Sequence, residues 1–508
     1  MKNSRYWIAF AFCSLIWVIA SLSIAPNLSG EDVYIFRDAG WNLAAHGRFE
    51  SAALVQMHDL TPRLYAHYTP MMPLLFAAYA FVFPRNAYAG TVFNLLIGLA
   101  AAAVALRGVL LQPPSRLRTL AACAITVLPV VFITYDRPEA LALALCGIAI
   151  AFASRANASP VLAGALLAVT FLAHPFAAAA AAVWMAALLL VENWSRPNRW
   201  TLTAGQVAIA AAVSVALIAP VAAVFYMLDH EALQRFAAHA LGMHSGLGVA
   251  ISSKPGGGFV QGLRKSLFVA GALETCFYVL SLIATPLLVV WAIFQRKQLH
   301  AAEWLPVAAA MVCAMAALFL FPAQGNYTTF IAFLTPVGLA ISSRRAEKLA
   351  GPALALILFA VAVRLPVLSV SLIQRVEQIP SFRAAQSQPA FLRAQLASPD
   401  PVVVVEGESY DLFKPEFGRM IRLDEASDTD QYRSVAAVAN CYDAFHGADG
   451  AVRPLPDRLN ASDFRRIQPD PQHMWVTLFG RRAMRGQWGY GCDLYIRKEA
   501  PAGQTPGS

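Results

Sequence analysis

Two adjacent acids, Glu31 and Asp32, stand in the stretch GEDVYIFRDAGWNLAAHG (30–47), directly after the first long apolar block of the chain, and Arg37 and Asp38 follow them. Paired carboxylates can accept or orient a hydroxyl proton. The plainer reading is that polar residues end every membrane helix. A second ionisable turn, TYDRPEAL (134–141), places Asp136 and Arg137 between two apolar blocks, where a local ion pair is the structural alternative. A third stretch, HSGLGVAISSKPGGGFVQGLRKS (244–266), joins glycines that let backbone approach a phosphate to the cations Lys254, Arg264 and Lys265. It lacks the GxxxxGK[ST] spacing of a P-loop, and its alternative is a connector whose last two cations sit at lipid headgroups. Arg364 and Glu274 lie inside apolar blocks, where charges normally face a cavity or a partner. Arg364 has three readings: a phosphate ligand, a partner of Glu274, or a side chain that snorkels. His67 and His174 are weaker signals, because a lone histidine beside an apolar helix is more often structural.

The elements that must position these groups are set by composition. Hydrophobic residues make up 58% of the 508 and charged residues only 14%, well below the roughly one quarter of soluble domains. The apolar residues come in long blocks, so the chain reads as a polytopic membrane protein. Lys and Arg exceed Asp and Glu by 39 to 30. Much of that excess sits in short loops between apolar blocks, which reports topology and argues against a nucleic-acid surface.

A hydrocarbon core of about 30 Å needs roughly 17 to 25 helical residues. The expected spans are 6–26, 87–106, 118–134, 139–154, 160–173, 176–192, 203–226, 267–294, 303–321, 327–342 and 350–373, about eleven transmembrane helices in all. With Lys2 and Arg5 inside, the inner loops hold Arg107, Arg116 and Arg118, then Arg155, Arg196 and Arg199, Arg296 and Lys297, and Arg344, Arg345 and Lys348. The outer side then receives 27–86, 135–138, 227–266, 322–326 and the chain after about 374. The segment YTPMMPLLFAAYAFVF (68–83) reaches only about 24 Å as a helix and contains Pro70 and Pro73, so it is read as lying in the outer interface, with Tyr65, Tyr68 and Tyr79 in the aromatic belt. The first block is read as an anchor, a cleaved signal peptide being the alternative.

Beyond 374 polar residues become common, and PVVVVEG (401–407), WVTLFG and CDLYIRK read as strands of a soluble α/β domain, 374–508, ending in a polar tail. Five of the seven cysteines, Cys13, Cys123, Cys146, Cys276 and Cys313, lie in apolar blocks. Cys441 and Cys492 belong to the soluble domain and could form one disulfide in an oxidising compartment. No CxxC or HExxH motif occurs.

The arrangement and wording resemble the GT-C class of membrane glycosyltransferases, which take sugars from polyprenyl-phosphate carriers. Glu31, Asp32, Tyr34, Ile35, Arg37, Ala39, Asn42, Leu43 and Gly47 follow the acidic first-loop motif of arabinofuranosyl- and mannosyltransferase-like bacterial members. YTPMMPLL is similar to their proline-containing juxtamembrane helix, DRPEALALAL to their second acidic loop, and QGNYTTFIAFLTP (324–336) to a late segment rich in Tyr and Pro. The likeness covers about 1–345.

The resemblance implies a GT-C-like α-helical membrane domain, 1–373, and a C-terminal α/β domain outside a bacterial inner membrane. It implies an inverting enzyme that moves a hexosyl or pentosyl group from a polyprenyl-phosphate sugar to a glycan, lipid or protein hydroxyl. Asp32, or else Glu31, would be the base, and Asp136 would orient the acceptor or the sugar. Arg37, His67, Tyr68, Arg137, Arg264, Lys265 and Arg364 would bind substrate. Metal dependence stays open, since some members of the class use a divalent metal ion and others use no cofactor of that kind. The rival readings are a carrier or flippase for lipid-linked saccharides and an inactive scaffold. A carrier would show pseudo-symmetric halves, whereas this chain concentrates its polar groups in outer loops.

Overall fold

The computed structural model describes residues 3–26, 31–51, 63–64, 69–83, 86–129, 138–155, 157–228, 230, 271–320, 325–344, 346–377, 379–406, 410–421, 434–440, 459, 461–468, 476–478, 481–484 and 492–498. Helices occupy the apolar blocks: α1 (Ser4–Ser23), then α2 (Glu31–His46), α3 (Met71–Val82), α4 (Ala89–Leu110), α5 (Arg116–Ile125), α6 (Pro138–Ala153), α7 (Pro160–Ala173), α8 (Pro175–Asn193) and α9 (Arg199–Leu228). They continue with α10 (Gly271–Phe294), α11 (Ala301–Leu320), α12 (Gly325–Ser342) and α13 (Ala350–Glu377). Among the described residues, α1, α4, α8, α9 and the stretch Glu347–Pro366 are long and apolar enough to cross a membrane. Ile8, Phe12 and Leu15 of α1, and Val215 and Leu217 of α9, are exposed on the protein surface, where an aqueous protein would bury them. The chain is a multi-pass membrane protein. Among the described residues five helices meet that length where about eleven are expected; α3, α5, α6 and α7 have 12, 10, 16 and 14 residues. At 14 residues, α7 measures about 21 Å.

Contacts divide the chain into two compact units along a different line from the sequence boundary expected at 373/374. The first comprises Met1–Val18, Ala66–Met72 and Asn94–Ser369; the second comprises Ile19–Tyr65, Pro73–Phe93 and Val370–Ser508.

The first unit is a helical bundle closed by small residues. A Cβ on Gly164 of α7 would stand 2.4 Å from the Ala210 carbonyl of α9, and one on Gly338 of α12 would stand 2.7 Å from the Trp184 ring of α8. Glycine at these points lets helices approach to contact. Helices α7 and α8 meet at one residue, His174, whose N–H still donates to Thr170 O at 2.8 Å. Pro175 has no N–H with which to continue α7, and it suits the first position of α8.

One end of this bundle carries a polar knot. Arg118 donates to Gln112 O at 2.9 Å and to Asn3 Oδ1 at 2.6 Å, Tyr6 and Thr119 share a hydrogen bond of 3.2 Å, and Gln112 donates to Ala340 O at 2.6 Å. Further along, Trp17 Nε1 donates to Thr126 O at 2.8 Å, so α1 and α5 run side by side in the same direction. The N-terminus, the loop before α5 and the end of α12 therefore share one end of the bundle.

The second unit holds α2, the body of α3, α14 (Ile379–Ala385), α15 (Gln388–Ala394), the short α16 (Tyr410–Phe413) and a five-stranded sheet. Its strands are β3 (Val402–Glu406), β4 (Arg419–Ile421), β5 (Val435–Asn440), β6 (Phe464–Gln468) and β9 (Asp493–Arg497), following the short pair β1 (Glu50–Ser51) and β2 (Arg63–Leu64). A third pair is β7 (Val476–Leu478) and β8 (Arg481–Met484). The sheet order is β4-β3-β5-β9-β6, with β3 parallel to both neighbours and β9 antiparallel to both of its own. Val402–Val405 are all buried, as a β-branched run in a central parallel strand should be. Because β4 runs parallel to β3, the chain must return across the sheet between them, and α16 lies in that return. Gln388 of α15 exchanges two hydrogen bonds with the Cys492 backbone at the start of β9, at 2.8 and 3.1 Å. Cys492 is disulfide-bonded; Cys441, its expected partner, lies outside the described residues.

Candidate functional site

Glu31 and Asp32 are the first two residues of α2, and their side chains lie outside the described ones. From Phe36 to Asn42 every residue of this helix is buried. Three features make that burial possible. Gly40 lets α3 approach so closely that a Cβ would stand 2.6 Å from Pro73 O. Trp41 packs edge-on against Phe76 of α3 at 5.5 Å, and Phe76 packs against Phe93 of α4 at 5.2 Å. Gly90 leaves the space that the Arg37 guanidinium fills, since a Cβ there would come within 1.6 Å of Nη1.

The polar groups of α2 are closed by the return segment of the sheet. Arg37, 0% exposed, forms an ion pair with Asp411 of α16 and lies over the Phe76 ring at 5.8 Å. Asp38, also 0% exposed, accepts from Tyr410 Oη, from Ser51 Oγ at 2.9 Å and from Lys414 Nζ at 2.5 Å. Lys414 also donates to Asn42 Oδ1 at 3.0 Å and Gly418 O at 2.7 Å, while Asn42 Nδ2 donates to Glu50 O at 2.8 Å. Two cations and two carboxylates thus neutralise one another inside protein, and Asp38 also accepts from two hydroxyls, which lowers the cost of burying the charge. Burial pushes the nearby Tyr79 hydroxyl up to about 12, opposed by Arg37, so it remains a neutral phenol.

Towards its C-terminal end α2 borders a cleft of about 660 Å³, lined among others by Trp41, Asn42, Glu50, Asp400, Lys414 and Arg419. Among the described residues no three His, Cys, Asp or Glu groups are placed to hold a metal ion.

The expected site residues divide as follows. Arg37, expected to touch substrate, is enclosed and forms an ion pair with Asp411. Arg364 is buried in α13, at 5% exposure, and the side chain of Glu274 in α10 lies outside the described residues. His67, Tyr68, Asp136, Arg137, Arg264 and Lys265 also lie outside them. The residues that sequence reasoning missed are Tyr410, Asp411 and Lys414. Their signal was YDLFK, an aromatic, an acid and a cation at adjacent helical positions just after a buried strand.

No family model and no curated protein matches the chain. Solved structures do. ArnT from Cupriavidus metallidurans in the apo state is similar at 14% identity and a TM-score of 0.49, over 84% of this chain and 87% of that one. The same protein bound to undecaprenyl phosphate is similar at 12% identity and a TM-score of 0.48, over 99% and 100%. The archaeal oligosaccharyltransferase AglB from Archaeoglobus fulgidus, in complex with an inhibitory peptide and a dolichol-phosphate, gives 12% identity and a TM-score of 0.43 over 87% and 70%.

Proposed function

We propose that this chain is a GT-C-type glycosyltransferase that moves a sugar from a polyprenyl-phosphate donor to a hydroxyl at the outer face of a bacterial inner membrane. The observation that carries the reading is the build of α2. The acid pair of the first-loop motif opens a helix whose next two turns are immobilised by buried ion pairs, and a general base needs such fixed geometry.

In the reaction the acceptor oxygen attacks the anomeric carbon, the bond from that carbon to the phosphate oxygen breaks, and the acceptor proton passes to a carboxylate. Asp32 is the base, with Glu31 beside it, and the N-terminal end of a helix favours the negative charge they carry. Asp136, Arg137, His67 and Tyr68 orient the acceptor and the sugar. Phosphate is a good leaving group, so cations matter more than a dedicated acid, and Arg264, Lys265 and Arg364 are assigned to it. Arg37 acts at one remove, by holding α2.

The test is mass spectrometry of polyprenyl-phosphate sugars and envelope glycans in a deletion strain carrying the wild-type or the Asp32→Asn gene. Accumulated donor with truncated glycan in both the deletion and the Asp32→Asn strain is the expected result. Full complementation by Asp32→Asn together with Glu31→Gln would remove the enzyme reading in favour of a lipid-saccharide carrier.

A further inference from the structure

The acid pair lies midway between two anchors. Downstream is the buried quartet around Arg37 and Asp38. Upstream, the chain leaving α1 is gripped by Arg375 in the last turn of α13, itself only 3% exposed. Arg375 Nε donates to Ala25 O at 2.7 Å and Nη2 to Ser21 O at 3.2 Å, while Ala25 N–H donates back to Arg375 O at 3.3 Å. Tyr88 Oη adds a bond to Ile24 O at 3.2 Å, and burial raises its pKa, so it stays a donor at neutral pH. Ser21 O is among the last carbonyls of α1, which have no partner within the helix, and a guanidinium there meets both their hydrogen-bonding need and the negative end of the helix dipole.

Both anchors draw on the same late part of the sequence: Arg375 before the acids, and Tyr410, Asp411 and Lys414 after them. The two anchors, at 21–25 and 37–38, bracket the acids closely in sequence, and closing so short a loop costs little further entropy. We infer that Arg375 and Asp411 are positioning residues, and that the C-terminal segment acts as a two-point clamp setting where Glu31 and Asp32 stand. The chemical consequence rests on the function proposed above; the mechanical one does not.

Hydrogen exchange on full-length protein in lipid nanodiscs separates the two. Arg375→Gln and Asp411→Asn should each speed exchange of the peptide spanning 26–36 by about 10²-fold, the scale of losing one partner of a buried pair. They should also lower glycan transfer in the complemented strain by about 10²-fold, as a misplaced reacting group does, with membrane insertion retained. Arg375→Lys keeps the charge but not the fork that reaches two carbonyls, so it should rescue only partly. Should Asp411→Asn fail to fold, the double variant Arg37→Met/Asp411→Leu, which removes that ion pair whole and leaves neither of its partners behind, takes its place. Unchanged exchange over 26–36 in Arg375→Gln would overturn the clamp. So would faster exchange with normal glycan, provided that Asp32→Asn abolishes that glycan. If Asp32→Asn leaves the glycan intact, the enzyme reading fails and the exchange result alone decides the clamp.

Discussion

Lys414 Nζ lies 2.5 Å from Asp38 Oδ1, and both side chains are closed off from solvent. An ion pair in that position is defined more by the penalty for halving it than by its own strength. Lys414→Met leaves Asp38 buried with only neutral donors, and is expected to lower stability by about 3 to 5 kcal/mol. Asp38→Asn in the same chain should recover most of the loss. Thermal unfolding of the single and double variants checks both statements.

The two acids at the head of α2 should not be equivalent. Asp32→Asn keeps the shape of the side chain but removes its capacity to take a proton, and transfer should fall at least about 10²-fold with expression intact. Glu31→Gln should cost less. Reversed magnitudes would exchange the two roles.

Orientation can be read with reporters. Asn3 and Arg118 meet at one end of the helical bundle, so a reporter at 112–115 should share the side of the N-terminus, as should one at 344–348. Reporters in 244–258 and after 400 should read the opposite side. A reporter at 112–115 that reads opposite to the N-terminus would mean that residues 71–82 cross the membrane.

The buried Arg364 offers a choice between lipid phosphate and internal pairing. Phosphate binding predicts that Arg364→Gln weakens donor binding, and that Arg264→Gln does the same. Internal pairing predicts a drop in melting temperature that Glu274→Gln restores, with donor affinity unchanged. Titration with undecaprenyl phosphate and a melting curve on each variant decide between them.

Cys492 is already bonded, and Cys441 is the only other cysteine after residue 374. Their bridge would close a loop of about fifty residues, worth roughly 3 to 4 kcal/mol in the chain-entropy model. Cys441→Ser should therefore lower the stability of the sheet by that order. Mass mapping that finds Cys441 as a free thiol would rule the bridge out.

Much of the helical part was legible because its information is local. Apolar blocks, Pro175 after His174 and the short proline-bearing segment 68–83 each specify their element from within a few residues. The run Val402–Val405 read as a buried strand for the same reason. The partners of Arg37 and Asp38 were not legible. Asp411 lies 374 residues from Arg37, and α16 has only four residues, too few to show periodicity. Nor does composition reveal that residues 19–65 and 370–508 share a unit, since the change of polarity near 374 reads as a boundary.

The quartet around Asp38 also sets a schedule. Tyr410 and Asp38 are 372 residues apart, so at about 5 to 20 residues per second the ribosome needs roughly 20 to 75 s to make the second after the first. Throughout that interval α2 exists with Arg37 and Asp38 lacking the partners that permit their burial. The helix bearing the acids can reach its final packing only when the message has been read as far as Lys414. A chain that stops short of Tyr410 would leave Arg37 and Asp38 without these partners, a mark by which the cell's proteases could tell an unfinished product from a complete one.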